Sequence, residues 1–227
     1  SLTSSQLSTY CTFNPAVFSI DLNGASPSTT NGTTIYAEYQ RAGIASAAGT
    51  TSDGVTSVIV GWGGVARPAT TNGDLLVIRP QTAPTAPVVS SVVPTGELPP
   101  QLANGQLVFS HITKKFYLFG GIVPSSTGVD LPLQPSDTWE LEVTSAASAQ
   151  WRRLSPSCWP NCPQARRSHR MAEVNYQVGA LCTTASPCTY GIFMEGGTFN
   201  GLDFLSDRWM FDPTANSGQG HWLNVNG

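Results

Sequence analysis

Three times in this chain a short apolar run ends in two adjacent glycines, with an Asp further on at the head of another apolar run. The first copy takes Ser57-Val58-Ile59-Val60 into Gly63-Gly64 and places Asp74 before Leu75-Leu76-Val77-Ile78. The second takes Phe116-Tyr117-Leu118-Phe119 into Gly120-Gly121, followed by Asp137-Thr138-Trp139. The third takes Ile192-Phe193-Met194, through Glu195, into Gly196-Gly197, followed by Asp207-Arg208-Trp209. In the second and third copies one more Trp, Trp151 and Trp222, opens a further short apolar stretch. The glycine pairs recur after 57 and 76 residues. A repeat of that size restricts the chain to architectures assembled from like pieces, each too small to bury its own apolar face.

The pieces are made of strands. No segment carries apolar residues at three-and-four spacing for a dozen positions, which a long amphipathic helix would show. The apolar runs are short, rich in β-branched and aromatic residues, and separated by Gly, Pro, Asn and Ser, which is the all-β pattern. The runs before the glycine pairs are continuous, so they are expected to be buried on both faces. Upstream of each pair, Gln40 to Ala48 (QRAGIASAA) aligns with Arg166 to Val174 (RRSHRMAEV), and the middle copy has NGQLVFSH from Asn104.

Strand, Gly-Gly, Asp-x-Trp and a later Trp together resemble the kelch repeat, over roughly residues 40 to 227. The resemblance implies a kelch-like β-propeller whose repeats are four-stranded blades, at about 41–98, 99–160 and 161–227. Ala16 to Leu22 and Thr34 to Gln40 then read as the third and fourth strands of a partial blade within 1–40. About three and a half blades fall short of the four to eight with which propellers close, so the chain is expected to be part of a larger propeller.

Each motif residue has a structural role in this reading. Gly63, Gly64, Gly120, Gly121, Gly196 and Gly197 permit a sharp departure from a strand near a crowded axis. Asp137 and Asp207 are expected to accept hydrogen bonds from turn amides. Trp139, Trp151, Trp209 and Trp222 fill space between twisted sheets. The glycines are not a phosphate loop, since no Gly-Lys-Ser/Thr follows them. Asp137 and Asp207 occupy equivalent repeat positions, which argues against a catalytic pair.

Composition places the chain among proteins and excludes several functions. Charged residues make up only 11%, against roughly a quarter in ordinary soluble domains, and Ser and Thr take their place. A net charge of -3 argues against nucleic-acid binding, which needs a broad basic face. No apolar run approaches the roughly eighteen residues of a membrane-spanning helix. The chain opens on Ser1 without a basic-then-apolar segment, so either a leader has been removed or the chain belongs to a longer one. Among the five cysteines, Cys158 with Cys162 and Cys182 with Cys188 enclose short turn-prone loops and read as two local disulfides, leaving Cys11 over. The competing reading is a zinc site from Cys158, Cys162, His169 and a later cysteine. Asn31-Gly32-Thr33 is a glycosylation sequon, and Thr82 to Pro87 (TAPTAP) has the composition of an O-glycosylated stretch. Together these place the protein in the secretory pathway or outside the cell.

Candidates for chemistry are few. His111, His169 and His221 form no recognisable metal-binding spacing, so no metal and no cofactor is expected. Glu195, Asp203 and Asp130 are the only carboxylates to weigh for glycosidase work, and no catalytic residue is assigned. The basic residues cluster, and Arg166, Arg167 and Arg170 suit the carboxylate or sulfate groups of an acidic glycan or protein, although Arg167 alone also reads as a repeat residue. The loops Pro80 to Gln101 and Ile122 to Ser136 are longer than hairpins need and offer a second binding surface. The reading that follows is a non-catalytic extracellular module that binds a protein or glycan partner through its loops, within a larger assembly. The alternatives are an extracellular propeller enzyme, galactose-oxidase-like or carbohydrate-active, with its site outside this segment, and an intracellular kelch adaptor.

Overall fold

The computed structural model describes residues 16–21, 28–34, 41–66, 75–81, 87–123, 131–132, 137–159, 161–176 and 189–225. β1 (Ala16–Asp21) and β2 (Ser28–Thr34) form an antiparallel pair. The partner of β1 is thus Ser28–Thr34; of the expected strand Thr34 to Gln40, residues 35–40 lie outside the described residues. β3 (Arg41–Ala42) precedes β4 (Ala45–Thr50) and β5 (Ser57–Trp62), and β6 (Val65–Ala66) turns back to pair with β3. β7 (Leu75–Arg79) and β8 (Val88–Val92) complete a first antiparallel sheet in the order β4-β5-β7-β8.

The second sheet repeats this meander. After β9 (Thr95–Gly96) come β10 (Gln106–Ser110) and β11 (Lys115–Phe119), then the small pair β12 (Ile122–Val123) and β13 (Leu131–Pro132), then β14 (Thr138–Ser145) and β15 (Ser148–Leu154). The third sheet follows β16 (Ser157–Trp159) with β17 (Arg170–Tyr176), β18 (Thr189–Glu195), β19 (Arg208–Asp212) and β20 (His221–Asn224). One four-residue helical turn, α1 (Ala215–Gly218), links the last two strands. The chain is all-β, and the strands preceding the glycine pairs extend over Ser57–Trp62, Lys115–Phe119 and Thr189–Glu195.

The linkers also take part. β9 lies parallel to β15 and β16 lies parallel to β20, so the chain leaving one sheet adds an outer strand to the next. The stretch Pro80 to Gln101, expected to be one long loop, therefore contains β8 and β9; residues 82–86 lie outside the described residues. Val88-Val89 and Val92 pair with β7 well enough to override the surrounding prolines.

The sheets stack face to face. One face of the second sheet buries Phe116, Leu118, Trp139, Leu141 and Trp151 against Val58, Val60, Trp62, Leu75 and Val77 of the first. Its other face buries Tyr117 and Phe119 against Ile192, Met194, Trp209, Phe211 and Trp222 of the third. Each junction has an aromatic pair, Trp62 edge-on to Trp151 at 5.3 Å and Phe119 tilted on Trp222 at 5.2 Å, and such pairs add about 1 kcal/mol to the burial itself. Of the three strands that precede the glycine pairs, the middle one, β11, is buried on both faces from Phe116 to Phe119. Ile59 of β5 is 36% exposed because the first sheet is covered on one side alone.

Backbone hydrogen bonds join the sheets at one end. Gly43, Asn104 and Ser168 stand just before the first strands β4, β10 and β17, all with positive φ (68°, 59° and 55°). The Asn104 N–H donates to the Gly43 carbonyl at 2.8 Å and the Ser168 N–H donates to the Asn104 carbonyl at 3.0 Å. This sets the repeat alignment one residue away from that expected: Arg41, not Gln40, corresponds to Arg166.

Candidate functional site

The glycine pairs show why glycine is required. The N–H of Gly64 donates to the Leu102 carbonyl at 2.7 Å, and that of Gly121 to the Arg166 carbonyl at 2.8 Å. Gly63 and Gly120 sit so close to these same carbonyls that a Cβ on either would overlap the oxygen, and both have positive φ. The first two pairs are therefore the seats of the following sheets' backbones.

Arg166 is the central correction to the sequence reading. Expected among the partner-binding arginines, it is fully buried, and no external anion reaches it. Its guanidinium takes both carboxylate oxygens of Asp207, Nη1 at 2.6 Å and Nη2 at 2.5 Å, and also donates to the carbonyls of Gly196 (3.0 Å) and Gln164 (3.0 Å). Asp207 further accepts from Trp209 Nε1 at 2.6 Å. Burial disfavours the Asp207 charge, but the bonds from Arg166 and Trp209 outweigh it and hold the carboxyl below its ordinary range. The equivalent Asp137 is buried and pairs with Arg153, whose guanidinium also lies 5.8 Å from the centre of the Trp139 ring. The motif aspartates thus receive guanidinium groups, a partner that the sequence did not announce; Asp207 also accepts from its own backbone amide. The position was legible; its partner was not, because both arginines come from other strands or loops.

Trp139, Trp151, Trp209 and Trp222 are all buried between sheets, and Trp222 Nε1 donates to Thr138 Oγ1 at 3.1 Å. Between the second and third sheets lies a polar cluster centred on Glu140, which accepts from Lys115 (2.9 Å), Arg152 (3.1 Å) and Tyr117 (3.2 Å). Burial opposes the Glu140 charge, yet Arg152 and Lys115 together keep it below the usual carboxylate range; burial pushes the Tyr117 hydroxyl up. Arg152 also reaches the Gly218 carbonyl of the third sheet at 2.8 Å, and His111 bonds Glu173 across the same junction. These groups hold the sheets together.

His169 is 2% exposed, stands edge-on to Phe119, and neither ring nitrogen has a hydrogen-bond partner. Burial chiefly, and then the Arg166 charge, push its pKa down to about 3. Between its unfolded value of 6.5 and that point the unfolded chain binds a proton that the folded one refuses, so folding weakens as pH falls through this window. The expected slope from this residue is about 1.4 kcal/mol per pH unit at most. Denaturant unfolding of wild type and His169→Gln from pH 7 to 4 checks it: the variant should show a flatter profile, and equal slopes would remove His169 as the cause. The zinc reading fails on the same ground, since Cys158 and Cys162 are joined in a disulfide with Cα atoms 4.9 Å apart. Among the described residues no group of three His, Cys, Asp or Glu could hold a metal.

The exposed surface lies elsewhere. Arg167 is half-buried and exchanges backbone hydrogen bonds with Thr198, at 2.9 and 3.0 Å, which anchors the loop after Gly197. Arg170 is exposed and lines a cavity of about 340 Å³ with Asn104, Gln106 and Ser168. The loop itself exposes Phe199 (38%), Leu202 (81%) and Phe204 (85%). It is internally braced: Asn200 Oδ1 accepts from the amides of Leu202 (2.9 Å) and Asp203 (2.8 Å), and Thr198 Oγ1 from that of Gly201 (2.8 Å). The expected long loop Ile122 to Ser136 is partly the β12–β13 pair, while 124–130 and 133–136 lie outside the described residues. The Phe199–Phe204 loop was missed in sequence, although three large apolar residues around an Asn-Gly turn were its signal.

Of the other candidates, Glu195 is exposed beside Arg208 at 3.8 Å and Asp203 is held by Asn200 at 2.7 Å. Cys11, Cys182, Cys188 and Asp130 lie outside the described residues, and the side chain of Asn31, on β2, is not described. No helix among the described residues is long and apolar enough to cross a membrane.

No family model matches the chain, and no curated protein matches it significantly. Among solved structures it is similar to a chain in "Cryo-EM structure of RAG in complex with one melted RSS and one unmelted RSS", with TM-score 0.55 and 11% identity over 92% of this chain and 59% of that one. It is also similar to "Structure of YjhT", with TM-score 0.49 and 14% identity over 82% of this chain and 51% of that one. The chain thus spans less than two thirds of either, and the first likeness is one of fold alone.

Proposed function

We propose that the chain is a non-catalytic binding module, a kelch-like β-propeller segment working outside the cell, whose third sheet presents a braced apolar loop to a protein or carbohydrate partner. The observation that carries this reading is Leu202 and Phe204, more than four-fifths exposed yet held by hydrogen bonds within their own loop. An exposed aromatic on a pre-ordered loop loses little conformational freedom on binding. Arg170, on the adjoining strand, supplies a cation for carboxylate or sulfate groups beside it. Three four-stranded meanders, the first two of which seat the backbone of the next at their glycine pair, support the propeller reading.

The test is retention on arrays of sulfated and uronate-bearing glycans and of acidic, aromatic-rich peptides, with wild type beside Leu202→Asp/Phe204→Ser and Arg170→Ala. Binding to one class, weakened at least about tenfold in the loop variant, is expected. Binding unchanged by the loop variant, or none on either array, would sink the proposal. The extracellular part rests on the Cys158–Cys162 bond. Intact mass before and after reductant should differ by the hydrogens of at least one disulfide, whereas five free thiols would remove this support.

A further inference from the structure

The inner ends of the three sheets meet around a cavity whose polar groups the fold itself does not use. It holds about 340 Å³ and is lined by Gly43 just before β4, by Asn104 and Gln106 at the start of β10, and by Ser168, His169 and Arg170 at the start of β17. Small-molecule sites run from about 300 to 1,000 Å³, so there is room for one compact ligand. Among the described residues the side chains of Asn104, Gln106, Ser168 and Arg170 have no hydrogen-bond or ion-pair partner. His169 adds two buried ring nitrogens that are equally unanswered. A buried polar group left unpaired in a folded chain calls for a partner, and here four more unpaired side chains surround the same space.

The charge of the wall selects the ligand. The strand registers set Ala45, Gln106 and Arg170 at equivalent places, opposite Trp62, Phe119 and Glu195. The third sheet alone puts a charge there, and Arg170 is the one Asp, Glu, Lys or Arg in the lining. Glu195 lies outside the lining, 3.8 Å from Arg208, and the charge of Arg166 is already taken up by Asp207. A guanidinium with no carboxylate beside it in the cavity disfavours cations and suits a planar oxyanion, which it meets with two parallel N–H donors. The amides of Asn104 and Gln106 and the hydroxyl of Ser168 each both donate and accept, which is what hydroxyl groups of a ligand require.

We infer that this cavity binds a small polyhydroxy carboxylate, such as one uronate ring, with the carboxylate on Arg170 and hydroxyl groups on Asn104, Gln106 and Ser168. The inference rests on the propeller reading for the place of the cavity at the axis. Sheets of a propeller stand side by side around a central channel, so a neighbouring sheet packs on a flank and leaves the inner strand ends facing that channel. The site is separate from the Phe199–Phe204 loop, and it gives Arg170 a role that a solvated surface arginine does not have. The same chemistry reaches the cavity as a free sugar acid or as the end of an acidic glycan chain.

Calorimetric titration of the whole chain with glucuronate up to about 10 mM tests this, beside glucose as the uncharged control and acetate as the control without hydroxyls. Glucuronate is expected to bind, and each control at least about tenfold more weakly. Arg170→Gln should weaken glucuronate at least about tenfold and Gln106→Ala about threefold to tenfold, both with unchanged circular dichroism. Of the three histidines only His169 lines the cavity, so its imidazole NMR signal should move on binding while those of His111 and His221 stay. A glucuronate oligomer that binds more tightly than the monomer identifies a glycan end as the source, and one that binds more weakly identifies the free sugar acid. No binding, glucose or acetate binding as well as glucuronate, indifference to Arg170→Gln, or a shift at His111 or His221 in place of His169 overturns the inference. Leu202→Asp/Phe204→Ser should bind glucuronate like wild type, so failure of the cavity leaves the loop's array result standing, and failure of the loop leaves the cavity's.

Discussion

Arg166→Ala should destabilise the protein by about 3 to 5 kcal/mol, the loss typical when one partner of a buried ion pair is removed. Asp207 would keep its charge in a partly enclosed site with Trp209 Nε1 and its own backbone amide left to answer it, and the Gly196 and Gln164 carbonyls would lose their donor. Arg166→Lys should recover little, because a single ammonium cannot span both Asp207 oxygens and reach two carbonyls. At roughly 2 to 4 °C per kcal/mol for a chain of this size, the melting temperature falls by about 10 °C. Urea unfolding reads the effect directly, with exposed Arg170→Ala as the control expected to stay within about 0.5 kcal/mol. If Arg166→Ala unfolds within about 1 kcal/mol of wild type, the Arg166–Asp207 pair is not what fixes the loop between the second and third sheets.

The second large effect is expected at Gly120. An alanine there incurs about 1 kcal/mol for the left-handed backbone alone, and its methyl group would also overlap the Arg166 carbonyl and press on the His169 ring. Relief requires the third sheet to move away from the second, opening contacts around Phe119 and Trp222. A total of about 3 kcal/mol or more follows from the strain and the lost packing. Gly196→Ala, at the same φ of 66°, has space around it and in dilute solution should cost only the backbone term. Comparing the pair by urea unfolding at low concentration separates conformation from close approach. Equal losses would show that the neighbouring carbonyl does not decide the need for glycine.

These variants also mark what could be read from the sequence. The glycine pairs and Asp-x-Trp were legible because positive φ and large buried rings each narrow the residue choice to very few types. The identity of the buried arginine was not. It depends on Ser168 taking a left-handed backbone, which no serine announces, and that single residue moves the alignment so that Arg166, not Arg167, meets Asp207. β8 was hidden for a similar reason, since Val88–Val92 sits among prolines and has no Trp at the place held by Trp151 and Trp222. The Phe199–Phe204 loop was overlooked because its residues look like strand or core material; only the Asn200 and Thr198 side-chain bonds, which hold it away from the sheet, reveal that it faces water. Apolar residues outside a core become informative once the backbone that displays them is known.

The parallel pieces β9 and β16 have a consequence for how the molecule behaves in a crowded solution. A sheet edge with unpaired amides recruits strands from other chains, the first step toward fibrous aggregates. In the second and third sheets that outer rim is partly occupied by the linker arriving from the sheet before, so Trp151 and Trp222 lie on strands already paired on both sides. Cleaving the backbone at either linker would leave the core residues in place while uncovering a template for misassembly. Resistance to precipitation, more than to unfolding, should therefore be the property that a nick near Thr95 or Ser157 removes first.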